Sequence, residues 1–574
     1  MYTLTKPCLL IFVLLFAWLP ALHADVAPAD AIASAHPLAT EAGREILAAG
    51  GNAFDAAVAV TAALAVVEPM SSGLGGGGFW LLHRARDNRD VMIDGREKAP
   101  LTAHRDMYLD EQGEVIPTLS VDGPLAAAIP GTPAAIAHLA EHYGRLSLAK
   151  SLAPAIRLAQ QGFPVDALYR NQAEFRLEVL RASPAAARVF LADGHVPATG
   201  TVIKQPDLAH TLQTIARHGA KGFYEGALAT RLVQGVRAAG GIWSEDDLAN
   251  YTVMERAPVR GHYQGIRITS APPPSSGGIA LITILNILAG YDLENLPTLT
   301  RAHLIIEAMR RAYRDRADYL GDPGYTKVDV TRLTHPFYAA GLRATIRPDR
   351  ATPSASLPGT LPAPASPHTT HFSVLDSAGN RVAATLTINF PFGSGFMVPD
   401  TGVLLNDEMD DFSAKPGAPN VYGLVGGEAN AIAPGKRPLS SMTPTFLEDE
   451  HGVAILGTPG GSRIISMVLL ATLDFAAGHG PDSWVNLKRF HHQFLPDVVQ
   501  YEPGALTPEV IAGLEQIGHD LKALDDSYGN MQAIFWDRKQ GTSAASDPRG
   551  IGRAWVGRTR ETAGRAASSI LRQP

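Results

Sequence analysis

The chain of 574 residues carries 49 Lys+Arg against 56 Asp+Glu, a formal charge of −7, and is 46% hydrophobic and 18% charged. This describes a globular protein with apolar material for one large layered domain or several average ones. There is no basic excess and no long Lys/Arg run, which argues against nucleic acid as a partner, and the single cysteine, Cys8, excludes disulfides from whatever follows it.

In chain order, Lys6 precedes an almost unbroken apolar run from Cys8 to Leu22, and "ALHA" offers Ala24 as a small residue at a cleavage position. The run is short for a membrane span and has no stop-transfer flank. It reads as a secretory signal over 1–24, with an uncleaved anchor as the alternative. "HPLATEAGREILAAGGNAFDAAVAVTAALAVVEP" predicts two helices. Gly50, Gly51 and Asn52 are expected to take the left-handed conformation that closes the first, and the Ala/Val-rich second is expected to be buried. "FWLLHRA" and "DVMIDGRE" alternate as strands. From about 135 to 345, segments such as "LAPAIRLAQQG" and "RAHLIIEAMRRAYRDRADYLG" repeat apolar residues at helical spacing, with a strand-like "GIRITSAP" among them. A Pro/Ala/Ser-rich stretch from Leu357 to Pro367 then runs into "HTTHFSVLD", a turn at Ala378-Gly379-Asn380 and "VAATLTIN". The expected class is layered α/β, with helices on either side of a mainly antiparallel sheet core.

Several segments bear on chemistry. "GLGGGG" (Gly73–Gly78) matches G-x-G-x-x-G, but a helix precedes it and a strand follows, the reverse of a dinucleotide fingerprint. Close backbone packing beside a pocket is the better expectation. No histidine pair has metal-ligand spacing. "DEMDDF" (Asp407–Phe412) fits either a solvated turn or a site for an ammonium group. "GTPGGSR" (Gly457–Arg463) feeds a strand into a helix through two glycines, which suits a tight turn or the N–H groups of an oxyanion site. The hydroxyls of "KRPLSSMTP" could hold a carboxylate, or be plain loop.

Taken in order, "TTHFSVLDSAGN", "LLNDEMDDFSAKPG", "NVYGLVGG", "KRPLSSMTPT" and "GTPGGSRI" resemble the gamma-glutamyltransferase (gamma-glutamyl transpeptidase) family of N-terminal nucleophile hydrolases, over nearly the whole chain after the signal. The resemblance implies a four-layer αββα sandwich and a precursor that cuts itself at His368–Thr369. The products would be a largely helical large subunit, 25–368, and a small subunit, 369–574, that pair as a heterodimer. It implies Thr369 as nucleophile, its freed amine as base, and Thr387 as support for its hydroxyl. Gly460 and Gly461 would form the oxyanion hole. Arg96, Ser440 and Ser441 would hold a substrate α-carboxylate, and Asn389, Glu408 and Asp411 an α-ammonium. Tyr422 would gate the pocket from a lid loop. No cofactor or metal is implied. The substrates would be γ-glutamyl amides such as glutathione, with water, amino acids or peptides as acceptors. The bacterial forms resembled favour the periplasm, with the medium second, and no stable membrane association after cleavage. Phe390 and Pro391 in "NFPFGSG" replace the small hydroxyl residues of many relatives, which bears on the acceptor side. The alternatives are a glutaryl acylase of the same superfamily and an uncleaved, non-enzymatic binding protein.

Overall fold

Alternation along the strands decides the architecture. In the strand Thr370–Leu375, Phe372 and Val374 join one apolar cluster while Leu375 joins another. Ser373, on the Leu375 side, places its hydroxyl 3.2 Å from the Ile455 carbonyl oxygen and 3.1 Å from that of Gln532, both on strands of a different sheet. A period of two thus puts one face of the strand against helices and the other against a second sheet.

The protein is described by a computed structural model over residues 25–357, 369–418, 420, 424 and 426–557. The expected signal (1–24), His368 with most of the Pro/Ala-rich linker (358–368), and Tyr422 lie outside the described residues. The first sheet runs Arg553–Val556, Ala31–Ser34, Thr370–Leu375, Arg381–Thr387, Gly77–Arg84, Arg89–Gly95 and Met254–Arg256, every neighbouring pair antiparallel. The second runs Gly541–Ser546, Gln532–Asp537, Gly452–Gly457, Thr445–Glu448, Ile266–Ser270 and Val259–Tyr263, again all antiparallel. Helices Pro37–Ala48, Ala53–Val67 and Leu148–Gln161 belong to the apolar layer outside the first sheet. Gly277–Leu288, Thr298–Tyr319 and Ile464–Ala476 cover the second. The expected four-layer αββα sandwich results. Among the described residues, no helix is long and apolar enough to cross a membrane.

The Ala/Val-rich helix Ala53–Val67 is buried along its whole length, as its composition requires. One local expectation fails. Neither Gly51 nor Asn52 takes the left-handed conformation; of the three only Gly50 does, at φ 89°. Asn52 is instead extended (φ −102°) and caps the next helix, its side chain accepting from the amides of Phe54 and Asp55 while Asp55 accepts from the Asn52 amide. This reciprocal box satisfies amides that would otherwise be orphaned, and it needs the side chain that glycine lacks.

The glycine run meets its expectation. A Cβ at Gly75 would lie 2.0 Å from the Leu404 carbonyl oxygen, and one at Gly76 2.1 Å from that of Thr387. The loop therefore packs directly on the backbone of two other segments, one of which ends the strand Arg381–Thr387. Gly76→Ala forces these backbones apart, and an overpacked site of this kind costs about 1–3 kcal/mol. Thermal unfolding of the variant is expected to show a clearly lowered midpoint; an unchanged midpoint would contradict the packing described.

Candidate active site

The strand Thr370–Leu375 and its hairpin partner Arg381–Thr387 pair Leu386 with Thr370. Continuing this antiparallel register by one residue sets Thr387 opposite Thr369. Both threonines are buried and both line one small pocket at the end of the hairpin. Beyond Thr387 the chain turns sharply, with Asn389 at φ 71°. The Asn389 amide donates to Thr387 Oγ1 (2.7 Å), and its side-chain nitrogen donates to the Asp407 carbonyl oxygen (3.0 Å). Because Thr387 Oγ1 accepts from the backbone, its own hydrogen is available to donate toward Thr369.

The second sheet supplies the opposite wall. The strand Gly452–Gly457 leads through Gly460 (φ 142°) and Gly461 (φ 54°) into a 3-10 turn and the helix Ile464–Ala476. These angles suit glycine and turn the backbone so that Gly461 and Ile464 line the pocket. Gly460 adjoins this wall without lining it. Gly457 ties the turn to the strand Thr370–Leu375, since a Cβ there would lie 2.3 Å from the imidazole of His371. Burial lowers the His371 pKa to about 3, so the ring is neutral, with Nδ1 2.8 Å from Thr385 Oγ1.

Arg96 leaves the end of the strand Arg89–Gly95 and is fully buried. Its backbone amide donates to Asp94 Oδ1 (2.9 Å), and the same carboxylate lies 3.4 Å from Nε of Arg437 at the start of the "RPLSS" segment. Asp94 therefore fixes Arg96 and the serine loop together. Nη1 of Arg96 donates to Glu408 Oε2 (2.6 Å) and Glu97 Oε2 (3.3 Å), Nη2 donates to Asp411 Oδ2, and Nε donates to the Pro438 carbonyl oxygen (3.2 Å). Burial opposes the arginine's charge, but the fields of Glu408, Asp411 and Glu97 outweigh it and hold its pKa above the ordinary value. "DEMDDF" is accordingly a largely buried acidic turn and not a solvated one.

Ser440 and Ser441 line the same pocket. Ser440 Oγ accepts from the Met442 amide (3.1 Å) and Ser441 Oγ accepts from Arg316 Nη2 (3.3 Å). Each hydroxyl has an acceptor site occupied by the protein, which leaves its hydrogen for an incoming carboxylate. Arg316 adjoins the pocket through Ser441, and the sequence reading did not single it out. It comes from the helix Thr298–Tyr319, is buried, and donates to Ser276 Oγ (3.0 Å) as well as Ser441. Among the described residues it forms no ion pair, and burial lowers its pKa to about 10. Its only sequence signal was an arginine falling on the apolar face of a helix, hidden among Arg310, Arg311 and Arg314.

Glu97 was also missed. Burial pushes its pKa up to about 7, and burial with neighbouring carboxylates pushes Glu408 and Asp407 well above their usual range. One pocket thus collects Arg96, the hydroxyls of Thr369, Thr387, Ser440 and Ser441, Gly461 and the Asp411 carboxylate, with Glu97 and Glu408 buried behind it against Arg96. It can bind a zwitterion by both ends and leave a third group over Thr369. From the "NVYGLVGG" loop, Asn420 Nδ2 donates to Asp411 Oδ1 (3.2 Å) and Leu424 lines the pocket.

A metal has no prepared place at the strongest candidate. Among the described residues His303, Glu307 and His519 could converge on an ion. Their atoms are already engaged, with His303 Nδ1 2.8 Å from His519 Nε2, His303 Nε2 2.8 Å from the Arg347 carbonyl oxygen, and Glu307 paired with Arg310 and Arg311. Two guanidinium groups beside the cluster oppose a further cation.

Comparison with known proteins gives one consistent picture. The family model described as Gamma-glutamyltranspeptidase matches residues 39–557. A glutathione hydrolase proenzyme of Escherichia coli (strain K12) is 42% identical over 528 residues, covering 91% of this chain and 90% of its own. Among solved structures, a cephalosporin acylase from Bacillus halodurans superposes with a TM-score of 0.81 at 29% identity, covering 96% of this chain and 100% of its own. Helicobacter pylori gamma-glutamyltranspeptidase superposes with a TM-score of 0.56 at 42% identity, covering 57% of this chain and 94% of its own.

The raised carboxylate pKa has a consequence for stability. A buried acid whose folded-state pKa exceeds its unfolded value makes the folded state bind more protons, so stability is present below the unfolded pKa and is lost as pH rises through the folded one. For Glu97 that window runs from the ordinary carboxylate value up to about 7. Glu97→Gln is expected to flatten the fall of the unfolding midpoint between pH 5 and 8. An identical fall in variant and wild type would contradict a protonated, buried Glu97.

Proposed function

The chain belongs to the gamma-glutamyltranspeptidase family, and on that premise we propose that it is an autoprocessed γ-glutamyltransferase and glutathione hydrolase with Thr369 as its nucleophile. The precursor cuts itself between residues 368 and 369. The Thr369 hydroxyl attacks the carbonyl carbon of His368, the peptide nitrogen leaves as the Thr369 α-amine, and water hydrolyses the resulting ester to regenerate the hydroxyl. An α-amine has an ordinary pKa of about 8, so it can take the hydroxyl proton near neutral pH.

In turnover, Oγ1 of Thr369 attacks the γ-carbonyl of a γ-glutamyl amide such as glutathione, while Thr387 donates to the threonine oxygen and orients it. The amides of Gly460 and Gly461 receive the oxyanion. Collapse expels the amine, which carries away the proton, and leaves a γ-glutamyl–Thr369 ester. Water converts the ester to glutamate; the amine of an amino acid or peptide converts it to a new γ-glutamyl amide. The α-carboxylate of the glutamyl group exchanges for Asp411 and Glu408 on Arg96 and takes the hydrogens of Ser440 and Ser441. Its α-ammonium takes the released carboxylates, with Asn389. Tyr422 is the gate of the lid loop. The processed halves, 25–368 and 369–574, remain paired, and the enzyme acts after export, in the periplasm, without stable attachment to the membrane.

The observation that supports this reading best is the meeting of Thr369, Thr387, Gly461, Arg96 and the serine pair in one pocket. The likeness to a cephalosporin acylase raises glutaryl amides as a second reading. A glutaryl group has no α-ammonium, however, and would leave Glu97, Glu408 and Asp411 crowded around one arginine without a second cation. Release of p-nitroaniline from γ-glutamyl and glutaryl anilides separates the two: the γ-glutamyl compound is expected to react faster by orders of magnitude, and the reverse order would overturn the proposal. Arg316→Gln removes the donor that orients Ser441. KM for the γ-glutamyl anilide is expected to rise roughly tenfold, the scale of a hydrogen bond to a charged group, with kcat little changed; an equal loss in kcat alone would contradict this role.

A further inference from the structure

The two glycines assigned to the oxyanion site have little backbone preference of their own, so the direction of their N–H groups must be set from outside. Gly460 to Arg463 form one closed turn, in which the Arg463 amide donates to the Gly460 carbonyl oxygen (3.0 Å). Ser462, the third residue of that turn, is held at two polar groups. Its carbonyl oxygen accepts from the hydroxyl of Tyr313, and its Oγ donates to Gln493 Oε1 (2.7 Å). Gln493 is fixed in turn, because its Nε2 donates to the Leu495 carbonyl oxygen (3.2 Å) while Oε1 lies 2.9 Å from His491 Nε2. The His491 ring stands edge-on to Tyr313, with centroids 5.5 Å apart, and its Nδ1 lies 2.9 Å from Ser466 Oγ in the first turn of the helix Ile464–Ala476. All of these side chains are buried. Burial lowers the His491 pKa to about 3, so the ring is neutral. Its Nε2 then carries the hydrogen that Gln493 Oε1 accepts, and Nδ1 is left as the acceptor facing Ser466.

We propose that Tyr313 is a positioning residue for the oxyanion site, holding the Gly460–Arg463 turn so that its N–H groups face the γ-carbonyl over Thr369. This rests on the γ-glutamyl transfer reading and adds a residue to it. Tyr313 and Arg316 lie three apart on the helix Thr298–Tyr319, and hence on one face. Tyr313 reaches the glycine turn and Arg316 reaches Ser441. One helix thereby ties the wall assigned to the oxyanion to the wall assigned to the glutamyl α-carboxylate. Gln493 and His491 brace the same turn from its other side. Tyr313 does not touch the substrate in this scheme. A turn that has lost its brace weakens its N–H donors most when charge has developed on the oxygen, which is in the transition state. The loss therefore falls on kcat and not on KM.

The test measures hydrolysis of γ-glutamyl p-nitroanilide by wild type, Tyr313→Phe, Ser462→Ala and Tyr169→Phe, with rates taken per processed chain. Tyr313→Phe keeps the buried ring and removes one hydrogen bond. Tyr169 makes a bond of the same kind, to the Phe190 carbonyl oxygen (2.7 Å), in the apolar layer outside the first sheet. In Tyr313→Phe, kcat is expected to fall roughly three- to tenfold with KM within about twofold of wild type, the scale of one hydrogen bond. Ser462→Ala removes the second anchor without altering the helix; it should shift kcat in the same direction, and it decides the question if Tyr313→Phe does not fold. Tyr169→Phe should keep both constants. An unchanged kcat in Tyr313→Phe and Ser462→Ala, or a raised KM with kcat kept, would overturn the positioning role while leaving γ-glutamyl transfer intact. A wild-type protein that releases no nitroaniline would overturn both readings.

Discussion

A guanidinium with almost no access to water is costly to hold without counter-charge, and the pocket is organised around that cost at Arg96. Removing one partner from such a buried group costs about 3–5 kcal/mol, because the remaining charge is stranded. Arg96 is met by Glu408, Asp411 and Glu97, which come from its own strand end and from a buried turn some 310 residues later in the chain. With three carboxylates on one arginine, the cluster is over-supplied with negative charge, and burial drives protons back onto it. A ligand carrying both a carboxylate and an ammonium resolves this conflict, since each of its charges replaces a protein partner without leaving another unpaired. The charge pattern of the pocket in this sense matches the zwitterion proposed as its ligand.

The two-residue period of the sheets then brings the threonine pair to that pocket. Thr387 continues the inward-facing register of its strand, and the positive φ of Asn389 ends the strand where a further residue would cross the pocket. The glycine loop packs against the Thr387 carbonyl, and Gly457 packs against His371. The hairpin that carries Thr369 and Thr387 is thus held from both sides by backbone that has no room for a side chain. Hydroxyl bookkeeping follows the same logic. Thr387, Ser440 and Ser441 each accept from a fixed N–H donor, so each keeps its hydrogen for the proposed substrate or for Thr369.

Much of this was legible in the sequence for local reasons. The alternating strands, the buried Ala/Val helix and the glycine-interrupted strand-to-helix turn follow from side-chain period and backbone freedom. The roles of Thr369, Arg96 and the serines came from the family resemblance and not from spacing. What escaped depends on partners distant in sequence. Arg316 sits in a helix with charges on every side, and only the fold sets it against Ser276 and Ser441. Glu97 looked like the neighbour of a binding residue until the turn at Glu408 was laid across it. Asn52 was misread because both a C-cap and an N-cap favour asparagine, and the choice falls to Asp55 three residues on.

The proposed mechanism depends most on a bond that must break: only cleavage before Thr369 would create the amine assigned as base. Intact mass and N-terminal sequencing of the purified protein, beside Thr369→Ala, test this directly. Scaling the 60.9 kDa chain by length gives subunits of roughly 37 and 22 kDa. The account predicts that the smaller begins Thr-Thr-His and that the variant stays whole. A folded wild-type chain that remains uncut, or one cut elsewhere and equally cut in Thr369→Ala, would contradict it.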